Sequence, residues 1–309
     1  MAQKLLAADE PAAVTTYNES GSSPFLLVAD HAGNIMPRAL GRLGIDAAEC
    51  ERHIAWDIGI AGVGRRLADA LDATLIQQNY SRLVIDCNRP PEVATSIPEI
   101  SELTPIPGNV DLSDTDRAAR MREIFTPYHE RIDAELDRRR QAGCATMLVA
   151  LHSFTPVFKG VARPWHAGVM YNRDPRFARQ VLAVLQKEPG LAVGDKEPYL
   201  VSDTSDYTIP VHGERRGLPH VLIEIRQNLI ADAAAQRAGL ASSRACCRRP
   251  MRPSLRRSEP GPPIAGSSRQ RRTSLHEKTA GADLRTTPSG RFTCGPARQC
   301  RREESPCPN

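Results

Sequence analysis

Short, wholly apolar runs that lead into an ionisable residue constrain this chain more than any other feature. Phe25-Leu-Leu-Val-Ala29 runs into Asp30-His31, Met147-Leu-Val-Ala-Leu151 runs into His152, and His220-Val-Leu-Ile-Glu-Ile-Arg226 carries Glu224 inside it. Apolar runs of this length without alternation fit strands covered on both faces. Thr74-Leu-Ile76, Leu83-Val-Ile85 and Gly168-Val-Met-Tyr171 read as further strands. Helical spacing links Ile54, Ile58, Val63, Leu67 and Leu71, and again Phe177, Val181 and Leu185. Ser113, with Asp116 three residues on, marks the start of a long helix lined by Met121, Ile124, Phe125, Tyr128, Ile132 and Leu136. That helix is expected to kink at Pro127 and stop at Gly143. Alternating strands and helices predict an α/β fold, a mainly parallel mixed sheet with helices on both faces. Residues 90–109, with five prolines, read as a long irregular loop suited to a pocket wall.

The pattern stops at Leu240. Residues 241–309 hold fourteen arginines, one lysine, five acids and nine prolines, with almost no spaced apolar residues. The first 240 residues are therefore net acidic, although the whole chain carries +5. We expect a folded domain over 1–240 and a disordered tail over 241–309. The tail's Arg/Pro/Ser/Cys mix also resembles a GC-rich reading frame translated out of phase. Its single aromatic, Phe292, offers little stacking surface, so nucleic acid is not an expected partner.

Cys50, Cys87 and Cys144 are widely separated and show no metal-type pairing, which fits reduced thiols. The first ten residues do not read as a signal peptide, and no uncharged apolar run approaches the roughly 20 residues of a membrane span. A cytoplasmic protein without membrane association is the expectation; oligomeric state is not legible.

In open α/β sheets, ligands bind outside the carboxyl ends of the strands. His31 and His152 sit at such ends, and a carboxylate at Glu224 is costly unless it faces a polar cavity, a cation or a metal. Two histidines and a carboxylate brought together there would make a metal site with an open position. Read singly, each histidine is an ordinary hydrogen-bonding residue, and Glu224 has Arg226 or Arg82 as a partner. Arg82-Leu-Val-Ile-Asp-Cys-Asn-Arg89 reads as a strand with a cation at each end, and its Asn88-Arg89 exit suits a substrate carboxylate. Tyr207-Thr-Ile-Pro-Val-His-Gly213 brings His212 just ahead of the Glu224 strand, and Asp57 opens a helix as a ligand or a cap.

Taken in order, Asp30-His-Ala-Gly33, Trp56-Asp57, Tyr80-Ser-Arg-Leu-Val-Ile-Asp-Cys-Asn-Arg-Pro90, Tyr128-His129, Leu151-His-Ser-Phe154, His212-Gly213 and Ile223-Glu-Ile-Arg226 resemble the N-formylglutamate amidohydrolase family over residues 20–240. The resemblance implies a zinc-carboxypeptidase-like fold and hydrolysis of N-formyl-L-glutamate, or a near relative, to formate and glutamate. It implies a divalent metal, zinc first, on His31 and His152, with Glu224 as general base. Arg82, Asn88 and Arg89 would bind a small dicarboxylate substrate, and His212 or Arg82 would stabilise the oxyanion. The carboxypeptidase pattern has Glu three residues after its first His, where this chain has Asn34; a neutral amide is a poor zinc ligand, so Asp57 is the expected third ligand. Family members also carry a more regular C-terminal helix than this chain shows after Leu240.

Overall fold

The computed structural model describes residues 4–232 together with Ala234 and Gln236. The boundary expected at 240 and the tail beyond it lie outside the described residues. Seven strands form one sheet: β1 (Val14–Tyr17), β2 (Phe25–Ala29), β3 (Thr74–Gln78), β4 (Met147–Phe154), β5 (Ala167–Met170), β6 (Val193–Asp195) and β7 (His220–Arg226). Their order is β1-β3-β2-β4-β7-β5-β6. β3–β2, β2–β4, β4–β7 and β5–β6 pair parallel, while β1–β3 and β7–β5 pair antiparallel. The mainly parallel mixed sheet expected from the apolar runs is the one that forms.

Successive strand residues point to opposite faces, so a run without alternation supplies two cores. Leu26, Val28, Leu148, Ala150 and Leu222 pack with Ile124, Tyr128, Ile132 and Leu136. Leu27, Ala29, Val149, Leu151 and Val221 pack with Ile60, Val63, Ala68, Phe177, Ala178 and Leu182. The second layer comes from helices α1 (Ile60–Leu71) and α4 (Arg176–Leu185). The first comes chiefly from the α2 (Asp114–Arg120) to α3 (Thr126–Gln141) segment. Each buried leucine or isoleucine contributes roughly 1.5–3 kcal/mol.

Three local expectations are corrected. Ile54 and Ile58 precede α1 in a run of turns, because Gly59 at φ 85° starts the helix only at Ile60. The Ser113 helix begins as expected, with Ser113 accepting from the Asp116 amide, but a widened turn at Met121–Phe125 joins α2 to α3. Pro127 has no N–H and its ring crowds the carbonyl four residues back, so an extra residue in the preceding turn relieves both problems. Leu83-Val-Ile85 is not a strand: residues 81–89 form buried turns, opened by the Val84 amide on the Ser81 carbonyl. With no neighbouring strand, the turn's carbonyls take side-chain donors. Asn109 donates to Leu83, Arg120 to Val84 and His129 to Cys87.

Candidate active site

At the carboxyl ends of β2, β4 and β7 the structure brings together His31, Asp57 and His152, all buried, with one ligand atom of each within 4.8 Å of the others. Register accounts for part of this. Glu224 lies opposite His152 in the parallel β4–β7 pair, so the two project on one side of the sheet. Gly33, in the turn after His31, passes so close to the Asn79 carbonyl that any Cβ there would collide with it. That approach ties the His31 turn to the end of β3 through the Ile35 amide and the Asn79 carbonyl, 3.2 Å apart.

Each histidine is held from behind by a carboxylate. His31 Nε2 lies 2.7 Å from Asp86 Oδ1, and His152 Nε2 lies 2.9 Å from Asp30 Oδ2. A carboxylate only accepts, so Nε2 carries a proton in both rings, and Nδ1 faces forward. The two Nδ1 atoms converge on Asp57 Oδ2, at 3.5 Å from His31 and 3.1 Å from His152. His31 Nδ1 has no hydrogen-bond partner although it is buried. Two forward nitrogens, one orphaned, around a shared carboxylate oxygen make a donor set that could hold a divalent metal, each imidazole oriented by a carboxylate behind it. Those residues fit the ion that the resemblance implies. Asp57 rather than Asn34 completes the set; Asn34 turns toward the Cys50 carbonyl and Glu51.

Charge in the cluster is strongly coupled. Burial would push Asp57 up, yet His31 and His152 hold its carboxyl well below the usual range. Burial opposes charge on His152 too, but its bonds to Asp30 and Asp57 raise it well above an ordinary histidine. Asp30 sits at about 2, where the hydrogen bond and charge of His152 outweigh burial. Asp86 lies well below its usual value because Arg82 and His31 outweigh its burial. Glu224 goes the other way, raised by burial to about 7 against the pull of His152. Its Oε2 is buried without a hydrogen-bond partner, so neither Arg226 nor Arg82 claims that oxygen.

These groups open into a cavity of about 470 Å³ that also exposes Arg82, Asn88, Arg89 and, from the 90–109 loop, Thr95, Pro98, Ile100, Ser101 and Glu102. The loop is thus a pocket wall, as its prolines suggested. Arg82 pairs with Asp86 at 2.6 Å and approaches Asp57 at 3.5 Å. Asn88 lines the cavity: Nδ2 donates one of its two N–H groups to Asp206, and Oδ1 accepts the Tyr207 and Thr208 amides. Those bonds join two walls of the cavity through Asn88. Arg226 gives its guanidinium to Asn228 and to the Arg163 carbonyl. His212, expected as an oxyanion donor, does not line the cavity; its ring is buried between His129 and Asp133. Its place in a turn just before β7 suggested proximity, but the widened turn Ile209–Glu214 directs it toward α3.

Asp30 and Asp86 were given no role from sequence, although both sit in the strings that carry the family resemblance. A carboxylate next to a strand's apolar end must find a buried partner, and that requirement was the available signal.

A family model for N-formylglutamate amidohydrolase matches residues 23–231. The crystal structure of gene product Atu2144 from Agrobacterium tumefaciens superposes with a TM-score of 0.75 at 37% sequence identity, over 78% of this chain and 96% of that one. That of N-formylglutamate amidohydrolase from Ralstonia eutropha JMP134 superposes with a TM-score of 0.54 at 18% identity, over 76% of this chain and 97% of that one, a likeness of fold. Comparison with curated protein sequences gives no match. Matched by that model over more than half its length, the chain belongs to the N-formylglutamate amidohydrolase family and is, by that membership, an amidohydrolase.

Proposed function

We propose that this protein hydrolyses the formyl amide of N-formyl-L-glutamate, giving formate and L-glutamate, with a divalent metal, zinc first, held by His31, Asp57 and His152. The observation that carries this reading is the convergence of two carboxylate-backed histidines on Asp57, beside a buried carboxyl at Glu224. A metal in that triad supplies Lewis acidity, lowering the pKa of water and polarising a carbonyl.

The remaining work falls to the side chains. Glu224, raised to about 7, is matched to neutral pH as a general base. Its free Oε2 takes the proton of the attacking water and returns it to the departing amine nitrogen. The Arg82 guanidinium, held in place by Asp86 and facing the cavity, offers positive charge to the developing oxyanion. Arg89 lines the same cavity, and its guanidinium makes no hydrogen bond or ion pair among the described residues, so it is the cation available to a substrate carboxylate. Formate release from N-formyl-L-glutamate tests the reading. Turnover with a KM raised about tenfold or more in Arg89→Ala supports it; absence of formate release from metal-replete protein would overturn it.

A second reading keeps the chemistry and enlarges the substrate to another N-acyl amino acid or small peptide. It is favoured by the apolar rim: Ile100 and Leu200 line the cavity while 65% and 71% exposed. Faster hydrolysis of an N-acyl amino acid with an apolar group than of N-formyl-L-glutamate would select it.

A further inference from the structure

The turn at 81–89 carries Asp86, which orients His31, yet side chains and single backbone bonds, such as the Asp86 amide on the Ser96 carbonyl, hold it in place of a strand ladder. One of those attachments fixes a proton count. His129 Nε2 lies 2.8 Å from the Cys87 carbonyl oxygen, and His129 Nδ1 lies 2.9 Å from His212 Nε2. His212 Nδ1 then lies 3.0 Å from Asp133 Oδ1. A carbonyl and a carboxylate only accept, so each outer bond needs a ring N–H, and the bond between the rings needs a third. Two neutral imidazoles supply two. Asp133 does not make up the difference: the same Oδ1 accepts from Arg216 Nη2 at 2.7 Å, an ion pair that favours the ionised carboxylate. The bond from His212 keeps the Asp133 carboxyl below its usual value, and Arg216 adds to the effect.

We infer that His129, His212 and Asp133 are positioning residues for the 81–89 turn, joined as a relay in which the histidine pair holds one proton more than two neutral rings would, with Asp133 as its counter-charge. Burial and the neighbouring ring push His129 itself down to about 3, so it keeps one proton, on Nε2; the contacts of His212 with the bare His129 Nδ1 and with Asp133 Oδ1 then each call for an N–H. The other titratable and charged groups around the pair are Asp30 at the end of β2, the Cys87 thiol in the turn, the Tyr128 and Tyr207 phenols, and Arg216. Removal of the excess proton leaves three bonds with two protons. One must break, and the Cys87 carbonyl, adjacent to Asp86, is one end of the chain. The positioning role rests on the reading of His31 as a metal-holding residue; the proton count does not.

The test begins with nitrogen NMR of the ring protons on the full-length, 15N-labelled chain at pH 7. The expected result is both nitrogens of His212 protonated and Nδ1 of His129 bare; one proton on each ring would overturn the count. Asp133→Asn removes the counter-charge at a side chain that is 45% exposed, where the change is mild for folding. It is expected to move the alkaline limb of kcat/KM toward acid by about one pH unit or more, with Asp133→Glu keeping the original profile. An Asp133→Asn profile superimposing on that of the unmodified protein would overturn the positioning role. The same comparison made on metal retention against a chelator needs no substrate. It therefore separates failure of this inference from failure of the proposed deformylation.

Discussion

At the scale of single residues, the site divides its carboxylates into two kinds by what faces them. Asp30, Asp57 and Asp86 lie against histidines or Arg82 and stay ionised, whereas Glu224 meets mostly burial and rises to about 7. Glu224→Gln should therefore cut turnover by about 10²–10⁴-fold while leaving bound metal unchanged; loss of metal in that variant would make Glu224 a ligand instead. The same shift has a sign in stability. Below about pH 4.5, the ordinary value for Glu, the group is protonated in both folded and unfolded chains and contributes nothing. Between there and about 7 only the unfolded chain gives up the proton, so the native state loses stability as pH rises. In metal-free protein, Glu224→Gln should then be more stable than the original chain by about 2–3 kcal/mol more at pH 8 than at pH 5. Urea unfolding at the two pH values checks it. Asp86→Asn, which removes the negative charge behind His31 Nε2, should weaken metal affinity by about 10–100-fold, read by chelator competition.

At the scale of elements, the 81–89 turn is where sequence and structure part company. Leu83, Val84 and Ile85 are fully apolar and buried, and apolar runs of that kind read as strands. What decides otherwise is long-range. Asn109, Arg120 and His129, from three distant segments, reach its carbonyls, and nothing local announces such donors. Arg120 is 1% exposed and also donates to Asn109 Oδ1 and the Gly108 carbonyl. Arg120→Met should leave several buried acceptors unpaired and cost about 3 kcal/mol or more in denaturant unfolding; a cost under about 1 kcal/mol would mean that the turn does not depend on it. By contrast, β2, β4 and β7 were legible because both of their faces are apolar, a property that lies in the run itself. Short edge strands such as β1 and β6, partly exposed, carry too little of that pattern to be read.

At the scale of the whole molecule, the sheet explains why distant residues share a site. β2, β4 and β7 are neighbours and parallel, so His31, His152 and Glu224, far apart in sequence, all arrive at one end. That much followed from the rule that ligands bind at strand carboxyl ends. Asp57 arrives by a different route, since it lies on no strand and enters through the Ser153 amide and the two rings. His212 shows the limit of the rule: closeness in sequence to β7 placed it near the site on paper, and a widened turn took it elsewhere. No helix among the described residues is long and apolar enough to cross a membrane.

The central claim, that His31, Asp57 and His152 hold the ion on which amide hydrolysis depends, is tested most directly by metal analysis and formate release on one preparation. The account predicts about one divalent ion per chain, lost together with formate release on chelation and in His152→Asn, and regained together in the unmodified chain when zinc is restored. Full turnover of N-formyl-L-glutamate by protein stripped of metal would contradict it.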